Sequence, residues 1–298
     1  MSMPRHFLEV DDLSAEELAH VLDLAGDSSV PRPLDGKTVA LLFEKPSLRT
    51  RNATEVAVVQ LGGHPVTLRG DEVGLGHREP ISDMGRVLSR YHALLAARVF
   101  EDSKLDELAA ASAVPVVNLL SDDAHPCQAL ADVLTVHQRF GRLDGLTVTY
   151  VGDFNNVARS LAIGAALAGV TMHVASPDGY GPTESALQRI TASGSAPVLF
   201  EKAAEAAAGA HAVYTDVWTS MGQEEEAAAR RAAFRGYAVD EDVMAAARDD
   251  AIFLHCLPAH RGEEVTATVV DGPQSAVWDQ AENRLHSVRG LFRFLLGE

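Results

Sequence analysis

The sequence predicts an α/β protein with two doubly wound parallel-sheet domains and a cleft between them. Short apolar runs of strand length alternate with runs of helical periodicity almost throughout the 298 residues, and this alternation is typical of parallel sheets covered by helices. The nine apolar runs exceed what one doubly wound sheet comfortably holds. Two α/β domains therefore fit the pattern better than one.

The predicted strands are the apolar runs that end in Gly, Pro or polar residues within a few positions. In chain order they are Thr38–Phe43, Val66–Arg69, Ala93–Val99, Val116–Leu120, Thr147–Val151, Met172–Ala175, Val198–Phe200, Ala212–Thr215 and Ala251–Leu254. The predicted helices have apolar residues at helical spacing. They are Asn52–Leu61, Ser82–Tyr91, Leu105–Ser112, Pro126–Phe140, Asn155–Ala168, Glu184–Thr191 and Ala281–Leu296.

The domain boundary is predicted near Phe140-Gly141, where a long helical run ends and a loop leads into a new strand. The apolar residues of the C-terminal helix recur at helical spacing, and this pattern allows the helix to pack on either domain. We assign it to the first, which gives residues 1–140 plus 280–298 as one domain and 141–279 as the other.

Charge and cysteine content argue against several classes of protein, among them nucleic-acid-binding and disulfide-rich proteins. The 25 basic and 42 acidic residues give a formal charge of −17, which makes nucleic acids and anionic membranes unfavourable partners. Two cysteines, Cys127 and Cys256, are too few for a disulfide framework and fit a reducing cytosol. No apolar stretch reaches membrane-spanning length, and the N-terminal residues lack the apolar core of a signal peptide. We therefore expect a cytoplasmic protein.

The most informative motif is the run from Phe43 to Arg51, which links the first strand to a helix. Ser47 and Thr50 offer hydroxyl groups, while Arg49 and Arg51 offer guanidinium donors. A new helix adds unpaired backbone N–H groups and the positive end of its dipole. This combination predicts an anion site suited to phosphate, although an ordinary helix cap with two surface arginines remains open.

Further polar residues follow other predicted strands, at the ends where open α/β sheets bind ligands. They are Arg98, His125, Gln128, Asp153, Asn155, Asn156, Asp216, Ser220, Met221, His255 and Cys256. Structural alternatives exist for six of them: helix caps for His125, Asn155 and Asn156, a turn residue for Asp216, a surface charge for Arg98 and a buried thiol for Cys256. The spacing of the His and Cys residues matches no standard zinc pattern. The turn after Val151 lacks the G-x-G-x-x-G pattern of a dinucleotide site.

Five segments in this order resemble the aspartate/ornithine transcarbamylase family over nearly the whole chain. They are Ser47-Leu48-Arg49-Thr50-Arg51, His125-Pro126-Cys127-Gln128, the segment from Asp216 through Ser220-Met221-Gly222, His255-Cys256-Leu257-Pro258 and Glu282-Asn283-Arg284. The last three favour ornithine over aspartate as the acceptor. The family usually has Thr at the second position of the first motif, so Leu48 leaves only its backbone N–H as a phosphate donor.

The resemblance implies transfer of a carbamoyl group from carbamoyl phosphate to the δ-amine of ornithine, without a metal or organic cofactor. The donor substrate would be held by Ser47, Leu48, Arg49, Thr50, Arg98, His125, Gln128, Arg284 and the Leu257 carbonyl. Ornithine would be held by Asn156, Asp216, Ser220, Met221 and Cys256, with Arg98, His125 and Cys256 taking part in catalysis. The first predicted domain would bind carbamoyl phosphate and the second ornithine.

Two alternatives remain open at this level. One is a sister transferase that uses putrescine, an acylated ornithine or another amine. The other is a catalytically silent homologue that binds anions. The resemblance also implies a homotrimer, or a multiple of trimers, that works in arginine biosynthesis.

Overall fold

The computed structural model describes residues 4–220 and 224–298, which form two compact α/β units. Unit 1 contains the residues up to Ala131 together with Glu282–Glu298, and unit 2 contains Asp132–Ala281. The domain boundary at Phe140-Gly141 stays a prediction. The fold class is confirmed as α/β, with one parallel sheet in each unit.

Unit 1 is built on four parallel strands in the order β2-β1-β3-β4. The strands are β1 (Thr38–Phe43), β2 (His64–Arg69), β3 (Leu94–Arg98) and β4 (Val116–Leu120). Its helices are α1 (Ala15–Gly26), α2 (Arg49–Gln60), α3 (Gly70–Val73), α4 (Ile81–Leu88) and α5 (Asp102–Ala111), with a 3-10 turn at Val10–Asp12. The winding direction reverses between β1 and β3, where Phe43 aligns with Arg98. This reversal is where doubly wound sheets bind ligands.

Unit 2 is built on five parallel strands in the order β7-β6-β5-β8-β9. The strands are β5 (Thr147–Val151), β6 (Thr171–Ala175), β7 (Val198–Phe200), β8 (Ala212–Thr215) and β9 (Ile252–Leu254). Its helices are α7 (Asn156–Leu167), α8 (Glu184–Ser193), α9 (Ala203–Ala207), α10 (Ala227–Ala233), α11 (Glu241–Ala246) and α12 (Ala267–Val270), with a 3-10 turn at Glu224–Glu226. Its reversal lies between β5 and β8, where Val151 aligns with Thr215.

Two longer helices each have residues in both units. They are α6 (Pro126–Phe140) and the C-terminal α13 (Val277–Leu295). In unit 1, α13 approaches α1 closely at Gly290, where a Cβ atom would lie 2.6 Å from the Val21 carbonyl oxygen. Only glycine fits such a contact, so this position fixes the part of α13 that carries Arg284.

Each unit has its own apolar core on its own sheet. In unit 1, the core joins Leu42 and Leu95 on the strands to Met84 and Leu108 on the helices. In unit 2, it joins strand and helix residues that include Val213, Phe253, Val243 and Val269. Burial of each such side chain contributes about 1.5–3 kcal/mol to folding. Among the residues that the structure describes, none of the helices has the length and apolarity needed to cross a bilayer.

Five predicted strands have the observed bounds, and the other four differ by one or two residues at their ends. The start of α2 differs more, because the sequence placed it at Asn52 and it begins at Arg49. The Ser47 hydroxyl accepts the Thr50 amide at 3.2 Å, which adds a turn. Thr50 and both arginines of the predicted anion site therefore lie inside the first helical turn.

Candidate active site

The candidate phosphate end of unit 1 is the N-terminus of α2, directly after β1. Ser47 and Arg49 are half-buried there, whereas the Leu48 side chain is 74% exposed. Leu48 precedes the helix without a side-chain cap, so its contribution to an anion is limited to the backbone. The first turn places the positive end of the helix dipole and a guanidinium together, which favours a phosphate ligand.

Thr50 joins this helix end to three other elements of unit 1. It is buried, and its hydroxyl oxygen accepts from Arg98 at 3.4 Å and from Arg284 at 3.0 Å. Arg284 also donates to the side-chain oxygen of Gln128 on α6. Because β3, α6 and α13 each supply one of these side chains, the cluster is fixed by the packing of unit 1 and not by one flexible loop.

His125 lies at the start of α6 and is 5% exposed. Burial lowers its pKa well below the usual value, and the charges of Arg284, Arg98 and Arg49 lower it further. The imidazole is therefore neutral near neutral pH and can donate one hydrogen bond from one ring nitrogen. Three guanidinium groups around a neutral donor form a strongly cationic site, which explains how a chain of net charge −17 can attract an anion.

The candidate amino-acid end of unit 2 is centred on Asp216, which follows β8 and is 6% exposed. One carboxylate oxygen accepts from the Asn155 side chain at 2.9 Å, and the other accepts from the Cys256 thiol at 3.0 Å. Asn155 also caps α7 by accepting the amides of Val157 and Ala158. The carboxylate is thus held between the ends of β5, β8 and β9, where it suits an ammonium ligand.

A buried network supports the segment that carries Cys256. The His255 amide donates to the Gln280 side chain at 2.8 Å, and Gln280 donates to Asp132 at 2.6 Å. Tyr150 and Tyr214 stack beside this region with ring centroids 5.6 Å apart. Burial raises the pKa of both phenols well above their usual value. Both rings therefore stay neutral, so they add hydrogen bonds and no charge.

The backbone at Leu257 is held by two side chains of unit 2. Leu257 has a positive φ of 61°, which is an unfavourable conformation for a residue other than glycine. Its amide donates to His255 Nδ1 at 2.8 Å, so the proton of the neutral ring sits on Nε2. Nε2 then donates to Glu264 at 3.2 Å. This chain of bonds fixes the direction of the Leu257 carbonyl.

Arg230 on α10 anchors the segment that runs from Asp216 to Ser220. It is 5% exposed, and it donates to the Trp218 carbonyl oxygen and to the Asp153 carboxylate. Its guanidinium carbon also lies 4.9 Å from the Tyr180 ring centroid. Burial raises the pKa of Asp153 to about 6, although the positive charge of Arg230 opposes this shift.

One set of metal-ligating side chains lies within this amino-acid end. The donor atoms of Asp216, His255 and Cys256 all lie within 4.8 Å of one another. The thiol already donates to Asp216, and His255 is committed to Leu257 and Glu264. The group is therefore satisfied by its own hydrogen bonds, and it fits an amino-acid site better than a resident cofactor.

The second thiol lies in a very different environment. Cys127 is fully buried on α6 and its Sγ lies 3.3 Å from the Asn118 carbonyl oxygen. Burial raises its pKa to about 12. Cys127 is thus an inert core residue, whereas Cys256 is half-buried and is the more accessible of the two thiols.

The structure brings most of the predicted site residues together within their own units. In unit 1, hydrogen bonds join Thr50, Arg98, Gln128 and Arg284, and Ser47 holds the Thr50 amide. In unit 2, Asp216 and Cys256 are bonded, while Asn156 is the first residue of α7 and Ser220 ends the described part of its segment. Met221 lies outside the described residues. Their roles in binding stay predictions.

Sequence reasoning missed two residues of unit 2. It placed Asn155 among the polar residues after β5, with a helix cap as the alternative, but left it out of the ornithine set. The side chain both caps α7 and bonds Asp216. It overlooked Arg230, which sits in an Ala-rich helix beside the exposed Arg231. A possible signal for Arg230 was its place on the apolar face of α10, four residues before the fully buried Phe234.

Two family models match the chain in adjoining ranges. The model described as the carbamoyl-P binding domain of aspartate/ornithine carbamoyltransferase matches residues 5–138. The model described as the Asp/Orn binding domain of the same family matches residues 144–295. Both models define the same class, a carbamoyl-group transferase. Because they cover nearly the whole chain, the protein belongs to the aspartate/ornithine carbamoyltransferase family.

Proteins similar to this chain over nearly their full length support its membership of the family. An ornithine carbamoyltransferase from Acidothermus cellulolyticus is 54% identical over 305 residues, which cover 99% of this chain and 97% of that protein. The crystal structure of ornithine carbamoyltransferase from Thermus thermophilus has a TM-score of 0.90 at 46% identity, and covers 99% of this chain and 100% of that one. The enzyme from Pyrococcus furiosus gives 0.93 at 45% identity, with 99% and 98% covered.

Proposed function

We propose that this protein transfers the carbamoyl group of carbamoyl phosphate to the δ-amine of L-ornithine, with L-citrulline and phosphate as products. Full-length relatives that carry the name ornithine carbamoyltransferase support this acceptor. The single observation that carries the proposal is the cationic cluster of unit 1, in which Arg49, Arg98 and Arg284 surround a neutral His125.

The donor substrate binds to unit 1 in this proposal. Ser47, Arg49, Thr50 and the Leu48 amide hold the phosphate at the first turn of α2. Arg98 and His125 donate to the carbamoyl oxygen, which gains negative charge as the tetrahedral intermediate forms. The support for this assignment is the shared Thr50 hydroxyl, which accepts from both Arg98 and Arg284.

The carbamoyl nitrogen needs acceptors that distinguish it from the carbonyl oxygen. Gln128 and the Leu257 carbonyl supply them, and Arg284 keeps the amide of Gln128 oriented through its side-chain oxygen. The Leu257 carbonyl is supported by the bond of its own amide to His255. Both acceptors are therefore fixed before substrate arrives, which lowers the cost of ordering them.

Ornithine binds to unit 2 in this proposal. Asp216 takes the α-ammonium group, while Asn156, Ser220 and Met221 hold the α-carboxylate side. Cys256 lies beside the amine, and its thiol bond to Asp216 supports this placement. The domains defined as residues 1–140 plus 280–298 and 141–279 are thus the donor and acceptor domains.

The reaction is a nucleophilic acyl substitution. The δ-ammonium of ornithine first loses a proton, and its nitrogen lone pair then attacks the carbonyl carbon. The carbon–oxygen bond to phosphate breaks as the carbonyl re-forms, so no metal or organic cofactor is needed. The nitrogen loses a second proton as the tetrahedral intermediate collapses. One of the two protons goes to the leaving phosphate, and the other goes to solvent, either directly or through Cys256 after its thiol has ionised.

A colorimetric ureido assay tests this function directly. Purified protein is supplied with carbamoyl phosphate and, separately, with ornithine, N-acetylornithine, putrescine or aspartate. We expect product with ornithine alone. Product only with another amine establishes a sister transferase, and absence of product with every amine, together with intact phosphate binding, establishes a silent homologue.

We also infer the cellular setting from the family. The enzyme acts in arginine biosynthesis in the cytoplasm and forms a homotrimer or a multiple of trimers. Light scattering during size-exclusion chromatography tests the assembly, and a mass near one or two chains contradicts it. Arginine auxotrophy after gene deletion tests the pathway, and growth without arginine contradicts it.

A further inference from the structure

We propose that His260, Glu263 and Glu264 form a binding site for a divalent transition-metal ion, with Zn²⁺ as the reference ion. The three residues follow β9 in unit 2. One imidazole nitrogen and one oxygen from each carboxylate lie within 4.8 Å of one another. The proposed carbamoyl transfer needs no metal, so this site is not part of that reaction.

A tight turn gathers these side chains. The Glu263 amide donates to the His260 carbonyl oxygen at 2.9 Å, and Gly262 between them has a φ of 90°. Glycine adopts this conformation without the steric cost that other residues meet. The turn therefore folds both carboxylates back toward the imidazole.

Glu264 supplies the observation that points to a ligand. Its side chain is fully buried, and its Oε1 accepts from His255 Nε2 and from the His260 amide. Among the residues that the structure describes, no hydrogen-bond donor reaches Oε2, which lies 3.9 Å from His260 Nδ1. A buried carboxylate oxygen is costly to leave without a partner, and a cation bound there removes that cost.

The spacing and exposure suit an ion shared by these atoms. Zinc ligands lie about 2.0–2.2 Å from the metal, so the two donors 3.9 Å apart can share one ion once the exposed His260 ring turns slightly closer to Glu264. The side chains of His260 and Glu263 are 51% and 32% exposed. The ion can therefore enter from solvent, and water can fill a fourth position, as in zinc sites with three protein ligands.

The donor set also selects the kind of ion. One imidazole and two carboxylates favour Zn²⁺, Co²⁺ or Ni²⁺ over Mg²⁺ and Ca²⁺, which prefer oxygen ligands alone. The two carboxylates balance the charge of the ion. The competing cation is Arg231, which contacts Glu263 at 3.0 Å but is itself 57% exposed, and exposed ion pairs of this kind are weak. Arg261 is engaged with Asp271.

Zinc titration of the full-length protein tests this site after dialysis against a chelator. Isothermal titration calorimetry with ZnCl₂ should give one ion per chain. We expect His260→Ala and Glu263→Gln each to weaken binding at least tenfold, because each removes a ligand. Both side chains lie near the surface, so these variants should fold normally, and circular dichroism confirms this.

Two control variants locate the ion. His286→Ala removes the imidazole of a surface His–Glu pair on α13, where His286 lies 3.4 Å from Glu282, and should leave zinc binding unchanged. Cys256→Ser should also leave it unchanged, since the thiol belongs to the other group of donor atoms. Thermal unfolding offers a second readout, because zinc should raise the midpoint of the wild type but not of His260→Ala.

The outcomes separate the possibilities. Binding that His260→Ala and Glu263→Gln abolish, and that both controls retain, supports the site. Binding that Cys256→Ser abolishes assigns the ion to the other group and overturns the proposal. Absence of saturable binding at millimolar zinc, or equal binding by His260→Ala, overturns it as well.

Discussion

Replacement of Arg230 by Met tests how unit 2 holds the segment between Asp216 and Ser220. The change removes a buried ion pair with Asp153 and a hydrogen bond to the Trp218 carbonyl oxygen, while it keeps most of the apolar stem. Removal of one partner from a buried pair costs about 3–5 kcal/mol, because the other charge is left without compensation. We expect the free energy of unfolding to fall by about this amount at pH 7.5.

The pH dependence of this loss follows from Asp153. Its pKa is raised to about 6, above the ordinary value of a carboxyl group, so its own contribution to stability is present in acid and is lost as pH rises through about 6. Arg230 stabilises only the ionised carboxylate. The difference in unfolding free energy between the wild type and Arg230→Met should therefore shrink as pH falls from 7.5 to 5.

The same variant should weaken ornithine binding without affecting carbamoyl phosphate. The anchored segment leads from Asp216 to Ser220, whereas the Arg49 helix turn belongs to unit 1. Loss of one charge-assisted bond of about 1.5–3 kcal/mol corresponds to roughly a 10- to 150-fold rise in the KM for ornithine. The KM for carbamoyl phosphate should stay within about twofold.

Arg231→Met is the matched control, because Arg231 is the next residue on α10 and pairs with Glu263 at the surface. Its unfolding free energy should lie within about 0.5 kcal/mol of the wild type. Urea unfolding at several pH values, together with initial rates for both substrates, measures all of these quantities. If Arg230→Met and Arg231→Met behave alike, or if the stability loss is the same at pH 5 and 7.5, the reasoning about this anchor is wrong.

Three further predictions concern the substrate groups. Arg49→Ala should raise the KM for carbamoyl phosphate by roughly 10- to 150-fold through loss of a charge-assisted bond, and an unchanged KM in steady-state assays contradicts the phosphate site. Asp216→Asn should raise the KM for ornithine far more than that for carbamoyl phosphate, and equal effects on both substrates contradict its role. His125→Ala should lower kcat by about 100- to 1,000-fold. Because the pKa of His125 lies well below its usual value, wild-type kcat should show no histidine titration between pH 6.5 and 8, and an inflection there that His125→Ala removes contradicts a neutral donor.

The sheets were predictable because strand signals are local. A run such as Thr147–Val151 is short, consists of β-branched and aromatic residues and is followed by Gly, and the observed β5 has the same bounds. The start of α2 was predicted three residues late, because a side-chain bond from Ser47 to the Thr50 amide decides it. Such a bond leaves no trace in hydrophobic periodicity.

The site was only partly predictable for a related reason. Arg98 ends β3 and Asp216 follows β8, so their placement comes from the topology rule for parallel sheets. Arg230 and Asp153 are 77 positions apart, and a buried arginine resembles a surface one in sequence. Likewise, the bond from Glu264 to His255 depends on a turn whose closure the residue pattern alone does not specify.

The contrast between the two cysteines allows selective chemical labelling of one of them. Iodoacetamide requires an accessible thiolate, which the buried Cys127, with its pKa raised to about 12, does not offer at neutral pH. Alkylation of the unmodified sequence should therefore label Cys256 alone, with no cysteine removed by engineering. The rate of that labelling, followed by mass spectrometry, would then report ligand occupancy beside Asp216 under conditions where no turnover occurs.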